Sequence, residues 1–313
     1  MRFARRSIGR SIVAFALLGV TGCGLQGHLG NVPEAPMDMS VTVVDMPADP
    51  RLKAALPDKY QQNGRLLIGT DPTYPPFEYY NDDNTTIIGW DIDFATAVAQ
   101  VLGAEPRFIA ANFDTTLPGL SSGKYYLSIS AYGVTAERLE KVDFASYLAG
   151  GSGLAVAAGN PEELSLTDQS VCGKKVAVQM GTLQALTQLP DLSAECEEAG
   201  KPEIDVHMYP TQSDANLALT AGRVDGTCAD SISLTYQGLL ANNEFELAPS
   251  PEYDPQPTAI ALPKGSALTA PVAEAAKQVI DSPVYDQINA KWHIPDSAKI
   301  SPAEVLDHSA ITD

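Results

Sequence analysis

Arg65-Leu66-Leu67-Ile68-Gly69-Thr70 is an apolar run of strand length, and the order of the elements after it decides the fold. A helix is predicted over 91–102, capped by Asp91, stopped by Gly103 and carrying Ala95, Val98 and Leu102 on one face. A strand follows at 106–110. Asp114 then caps a helix that Gly123 ends, and a strand runs from Tyr125 to Ser130. The same grammar returns downstream: strand 175–179, a helix capped by Thr182, strand 204–209, a helix capped by Ser213 and ended by Gly222, and strand 224–229. Each stretch is a βαβαβ unit with apolar strands, so each is expected to form its own mostly parallel sheet covered by helices. The units repeat an architecture without a close residue-level repeat. Between them, Gly150-Gly151-Ser152-Gly153 is too flexible for a packed interior and suits a hinge. The Pro-rich segment 249–257 leads back to a strand at 258–263 and helices at 266–281 and 283–292.

Upstream of the first unit the chain changes character. Arg2, Arg5, Arg6 and Arg10 precede an apolar run from Ile12 to Val20, too short for a stable membrane span, which reads as a signal peptide over residues 1–22. It ends Val20-Thr21-Gly22-Cys23, which resembles a bacterial lipobox, where cleavage precedes a Cys that carries lipid; the alternative is a plain secretory signal with an incidental Cys. Residues 23–50, rich in Gly, Pro, Asp and Met, read as a flexible tether, followed by a polar helix from Pro50 to Gln62 that Gly64 ends. Folded lobes are expected over 51–150 plus 254–300 and over 154–248, with hinge segments near 150–154 and 248–253 and a C-terminal tail over 301–313.

Composition narrows the function. With 44% apolar and 19% charged residues the 313-residue chain is globular, of one or two domains. Acidic residues outnumber Lys and Arg 39 to 20, giving a formal charge of −19; removing residues 1–22 takes away four Arg and no acid, leaving −23. That balance excludes nucleic acid and anionic lipid as partners but suits cationic or zwitterionic small molecules. Export permits disulfides. With Cys23 acylated, Cys172 sits in a polar turn and Cys196 in a polar helical stretch, whereas Cys228 lies inside an apolar strand. A Cys172–Cys196 bridge is therefore expected, with Cys228 a buried thiol.

Several motifs then fall into an order that resembles a known family. They are Ile68-Gly69-Thr70-Asp71-Pro72-Thr73-Tyr74-Pro75-Pro76-Phe77-Glu78, Gly89-Trp90-Asp91-Ile92-Asp93, Asn112-Phe113-Asp114 and Val134-Thr135-Ala136-Glu137-Arg138 with Val142-Asp143-Phe144. Gly173 to Thr182, Gly222-Arg223-Val224-Asp225-Gly226 and Ala229-Asp230-Ser231 continue the series. Together, over about 55–295, they resemble the polar amino-acid solute-binding proteins of ABC importers, bacterial extracellular solute-binding protein family 3. The Cys172/Cys196 pair resembles the lipoprotein members from actinobacteria. The resemblance implies an α/β, two-lobed periplasmic-binding-protein-like clamp of type II, monomeric and on the outer face of the cell membrane. Its partners would be an amino acid and an ABC permease, with the lipid anchor as its only membrane contact.

The ligand chemistry is carried residue by residue. A buried carboxylate and ammonium each need charge-assisted hydrogen bonds. Arg138 matches the family's carboxylate-binding Arg, whose guanidinium grips both oxygens, helped by backbone N–H groups of Gly133 with Ala131 or Ser130. The family commonly has a hydroxyl residue where Gly133 stands. Outside the family context, Arg138 would be a surface ion-pair partner of Glu137 or Asp143. Thr182 and the N–H of Leu183 offer a second anion site at a helix start, although ordinary capping explains Thr182 equally. Asp230 matches the family's ammonium acceptor; its alternative is a helix cap. Tyr74 and Phe113 match the aromatic walls, Asp71 the reader of the ligand's distal group, and Gln179 a position that varies with ligand. Asp71 and the acidic background favour a basic or neutral amino acid.

Enzyme signals are weaker. His28, His207, His293 and His308 are scattered without metal-ligand spacing, and Ser121-Ser122-Gly123-Lys124 lacks the companion motifs of Ser-x-x-Lys enzymes. No cofactor, metal or catalytic residue is expected. Two alternatives share the scaffold: a dehydratase with Glu78 or Asp71 as general acid, or a ligand-sensing receptor subunit.

Overall fold

A computed structural model describes residues 45–58, 60 and 64–305. The predicted signal peptide, Cys23, most of the tether and residues 306–313 lie outside the described residues. The body begins with α1 (Pro50–Ala55), capped by Asp49, whose Oδ1 accepts from the Arg51 N–H at 2.8 Å. The predicted helix 50–62 is interrupted, because Pro57 disfavours the helical region for Leu56, which is extended at ψ 136°; Asp58 and Tyr60 are helical again. The end of the predicted tether is docked: the Met46 N–H donates to Gln100 Oε1 at 2.9 Å and the Asp49 N–H to the Val101 carbonyl at 2.8 Å.

β1 (Arg65–Thr70) leads into a small antiparallel sheet, β2 (Thr73–Tyr74), β3 (Glu78–Tyr80) and β4 (Ile87–Ile88), then to α2 (Trp90–Val101) and β5 (Glu105–Ala110). The first unit is completed by α3 (Phe113–Ser121), β6 (Leu127–Gly133) and α4 (Ala136–Lys141). β7 (Val142–Ala157) carries the chain into the second unit, which opens with β8 (Lys175–Gln179). A π-turn at Gln184–Gln188 continues into α5 (Leu189–Glu198), and β9 (Asp205–Tyr209), α6 (Gln212–Thr220), β10 (Gly226–Asp230) and α7 (Ser231–Leu240) follow. β11 (Phe245–Leu247) and β12 (Tyr253–Pro263) bring the chain back to α8 (Thr269–Ile280) and α9 (Pro283–Lys291).

Gly103 and Gly123 stop their helices in the left-handed region, at φ 65° and 74°. The caps differ from the prediction. Gly89 precedes α2, because the Asp91 carboxylate is turned inward onto the Ala131 N–H and the Tyr147 hydroxyl. Asn112 precedes α3 in place of Asp114, and Thr211 caps α6 in place of Ser213, its Oγ1 accepting from the Asp214 N–H at 3.1 Å. Thr182 keeps its capping role, accepting from the Ala185 N–H at 3.2 Å.

The expected parallel clusters are present, β5-β1-β6 in the first lobe and β10-β8-β9 in the second. They are not separate sheets. β12 and β7 run antiparallel between them and join all into one nine-stranded sheet among the described residues, with β11 on β7. The predicted glycine hinge lies inside β7, paired with β12 from Val142 to Ser152 and with β10 from Ser152 to Val156. The glycine there serves close approach: a Cβ on Gly151 would come within 2.7 Å of Glu252 Cβ and 3.0 Å of the Tyr253 carbonyl.

Strand alternation fills both faces. Ile260 and Leu262 enter one first-lobe core with Leu66, Ile68 and Phe94, while Ala259 and Ala261 face Leu120, Tyr132 and Phe144 on the other side. In the second lobe Val176 and Val178 face one core and Ala177 the other. Each fully buried Leu, Ile, Val or Phe contributes about 1.5–3 kcal/mol. Cys172 and Cys196 are bridged with Cα atoms 5.6 Å apart, tying the turn before β8 to α5, and Cys228 is a buried free thiol, both as expected. Among the described residues no helix is long and apolar enough to cross a membrane.

Candidate ligand-binding site

The parallel strands of both lobes end at one cleft, where an open α/β sheet places its ligands. β6 ends at Gly133, and Thr135 caps α4 by accepting the Arg138 N–H at 3.2 Å, which sets Arg138 at the mouth of the first lobe. The Arg138 side chain turns inward and the residue is 8% exposed. Its Nη1 donates to the Gly133 carbonyl and its Nη2 to the Gly181 carbonyl, each at 2.9 Å, and the guanidinium lies 5.8 Å from the Phe113 ring centroid and 5.9 Å from that of Tyr132. The surface ion-pair alternative is excluded, because Glu137 pairs with Lys141 at 2.7 Å and Asp143 with Lys264 at 3.2 Å. Burial lowers the Arg138 pKa, yet a guanidinium stays charged, and with two N–H groups engaged it keeps others for a ligand.

Asp230 faces the cleft from the second lobe. Its Oδ1 caps α7, accepting from the Ile232 and Ser233 N–H groups at 2.9 and 3.1 Å. Burial pushes its carboxyl up to about 7, against the pull of those two donors. Capping and a cleft-facing carboxylate thus coexist in one residue. The Asp230 N–H donates to the Tyr74 hydroxyl at 3.0 Å, so the wall residue of the first lobe touches the second. Other bonds cross in the same way: Gln179 Nε2 to Asp71 Oδ2 at 2.8 Å and Ser233 Oγ to the Pro75 carbonyl at 2.7 Å. The lobes are in contact, and the cleft encloses about 40 Å³.

Ten of the eleven predicted site residues line this cleft: Tyr74, Phe113, Ser130, Ala131, Gly133 and Arg138 from the first lobe, and Gln179, Thr182, Leu183 and Asp230 from the second. Asp71 is not among the lining residues. It lies behind Gln179, 3% exposed, with its carboxylate accepting from Thr73 Oγ1, Gln179 Nε2 and the Phe113 N–H. The expected loop donors are also partly engaged: the Ala131 N–H goes to Asp91, and Ser130 Oγ donates to Glu78 Oε1 at 2.6 Å. Glu78, a candidate acid for the dehydratase alternative, is fully buried and outside the lining.

Sequence reading missed the cleft's floor. Gly150, Gly151 and Ser152 of β7 and Asp254, Gln256 and Thr258 of β12 line it, together with Gln184. Ser152, Gln184, Gln188, Asp254 and Gln256 form one hydrogen-bonded chain at 2.6–3.1 Å. The available signal was the hinge itself, since strands that cross between lobes pass beneath whatever the lobes enclose.

Fold and site together define a two-lobed ligand-binding protein. The model of bacterial extracellular solute-binding proteins, family 3, matches residues 66–295, and the chain belongs to that family. It is 30% identical over 285 residues to the arginine-binding protein ArgT of Corynebacterium glutamicum, covering 91% of this chain and 92% of that one. Among solved structures it is similar to an ancestral arginine-binding protein bound to arginine, with TM-score 0.65, 31% identity and coverage of 73% of this chain and 98% of the other. It is also similar to the ancestral amino acid-binding protein AncCDT-1, a precursor of cyclohexadienyl dehydratase, with TM-score 0.64, 28% identity and coverage of 75% and 98%.

Proposed function

We propose that this chain is a non-catalytic, monomeric receptor that captures a polar or basic amino acid between its lobes outside the cytoplasm and delivers it to an ABC permease. The observation that carries this reading is the convergence of Arg138 and Asp230 from opposite lobes on one cleft. Opposite charges at separate walls suit a zwitterion, with the α-carboxylate on Arg138 and the N-terminal end of the helix after Thr182, and the α-ammonium on Asp230. Tyr74 and Phe113 supply the apolar walls. Asp254, Gln184 and Gln256 offer a negative and polar floor for a distal basic or amide group, and Asp71 acts through Gln179. The family and the arginine-binding names of similar proteins support this reading. A lipid on Cys23 would hold the protein at the outer face of the membrane.

Thermal-shift screening of the twenty amino acids tests the ligand class, because a ligand at 100 times its Kd adds about 2.7 kcal/mol of stability. A basic or amide amino acid is expected to give the largest shift, and no shift with any of them would sink the reading. Turnover of prephenate or arogenate would instead establish the dehydratase alternative.

A further inference from the structure

Two carboxylates beneath the Ser130–Ala131 bulge of β6 have no part in gripping the zwitterion. Glu78 on β3 and Asp91 on α2 are both 0% exposed. Ser130 Oγ donates to Glu78 Oε1 at 2.6 Å, while Asp91 Oδ2 accepts from the Ala131 N–H at 2.9 Å and the Tyr147 O–H at 3.0 Å. Each keeps one oxygen that no other group's N–H or O–H reaches, Glu78 Oε2 and Asp91 Oδ1, and the two side chains lie within hydrogen-bond reach of each other. Neither carboxylate joins an ion pair among the described residues. The titratable groups that face the pair are Asp71 beyond β1, Tyr74 on β2, Tyr132 on β6, Tyr147 on β7 and, from the second lobe, Asp230. All are acidic or neutral. Two anions touching in such surroundings would repel without compensation, and a proton between them resolves both unmatched oxygens.

We infer that Glu78 and Asp91 share one proton, carried on Glu78 Oε2 and donated to Asp91 Oδ1, and that the pair positions the Ser130–Ala131 bulge of β6 at the binding cleft. Asp91, with two neutral donors, is the better anion, and Glu78, with one, is the better acid. The directions agree: burial and the neighbouring Asp91 charge push Glu78 well above the usual carboxylate range, and burial raises Asp91 to about 6. Ala131 is held at φ 47°, a conformation that a residue with a Cβ seldom adopts, and the bond from its N–H to Asp91 fixes it there. The charge that remains on Asp91 lies near enough to Asp230 to be felt by it, and so adds to the negative pole of the cleft. The positioning role rests on the amino-acid reading; the shared proton does not.

Infrared spectroscopy of the unliganded protein at neutral pH reads the proton directly. The carbonyl band of a protonated carboxyl is expected in Asp230→Asn, where Asp230 contributes none, and its loss is expected in the double variant Asp230→Asn/Glu78→Gln. Tyr147→Phe removes a donor from Asp91 and should hold the band to higher pH. No band in Asp230→Asn, or a band that survives in Asp230→Asn/Glu78→Gln, overturns the shared proton. Calorimetry uses L-arginine, or whichever of the twenty amino acids shifts melting most. Affinity is expected to fall about tenfold in Asp91→Asn. Wild-type affinity in a folded Asp91→Asn overturns the positioning role; should that variant not fold, wild-type affinity in Tyr147→Phe overturns it. A wild type that binds no amino acid fails the amino-acid reading and the positioning role with it, while the infrared band still decides the proton.

Discussion

Arg138 and Asp230 hold their charges at unequal readiness, which makes the two poles of the cleft separable by experiment. The guanidinium keeps its proton at any working pH, whereas burial has raised Asp230 to about 7. An ammonium needs the carboxylate anion, so affinity is expected to fall about tenfold per pH unit below 7 and to level off above it. Calorimetry across that range checks this, and Asp230→Asn should bind weakly with no such slope. Linkage gives the same group a signature without ligand. Its folded pKa lies above the ordinary 3.8, so its contribution to stability is full below that value and is lost as pH rises through about 7. The unliganded wild type should therefore lose more melting temperature than Asp230→Asn between pH 5 and 8. The zwitterion scheme itself is tested with analogues: an amino acid should bind, and its α-amide and its decarboxylated amine should each lose about 3–5 kcal/mol, two to four decades of affinity. Near-equal affinity for all three would refute the scheme. At this scale the motifs were enough to bring Arg138 and Asp230 to one cleft. The burial of Asp71 was not legible, because whether a carboxylate meets solvent or a buried glutamine depends on the opposite lobe, here Gln179, 108 residues away.

β7 and β12 are the elements whose nature was least legible. Gly150-Gly151-Ser152-Gly153 has the composition of a flexible connection, yet its backbone is paired on both sides, and its small residues allow a tight strand crossing. Local composition cannot report a neighbour that arrives a hundred residues later. Gly151→Ala is accordingly expected to lower stability by about 1–3 kcal/mol through its clash with Glu252 and Tyr253. Urea denaturation checks it, and an unchanged midpoint would mean that the crossing yields easily. Helices were read more truly than their caps: Asp91, Asp114 and Ser213 each stand inside the first turn of a helix, and the residue two places earlier, Gly89, Asn112 or Thr211, takes the capping position. The Cys172–Cys196 bridge closes a loop of 24 residues, so its removal by a double Ser substitution should cost about 3–4 kcal/mol. Cys228 should react with an alkylating agent only after unfolding.

At the scale of the whole molecule the lobes are joined by the Gln179–Asp71, Asp230–Tyr74 and Ser233–Pro75 hydrogen bonds around a space of about 40 Å³. Contacts divided between Arg138 in one lobe and Asp230 in the other are completed only when the lobes meet, so binding is expected to shift an open population towards the closed one. Small-angle scattering should show a smaller radius of gyration with ligand than without, and an identical profile at saturation would point to a rigid cavity. Ser233→Ala removes a bond between lobes, to Pro75, and should enlarge the unliganded radius further. The path of the chain assigns the two halves unequal parts in that motion. Met46 and Asp49 dock on α2 and α8, and Val305 packs into the same first-lobe core, so the described chain enters and leaves through one lobe. The other lobe is an insertion between β7 and β12 and has no free end of its own. A grip on the docked Met46–Asp49 segment holds the first lobe alone. The second then swings as a passenger, so a reporter placed on it would register every capture while one on the first lobe stayed still.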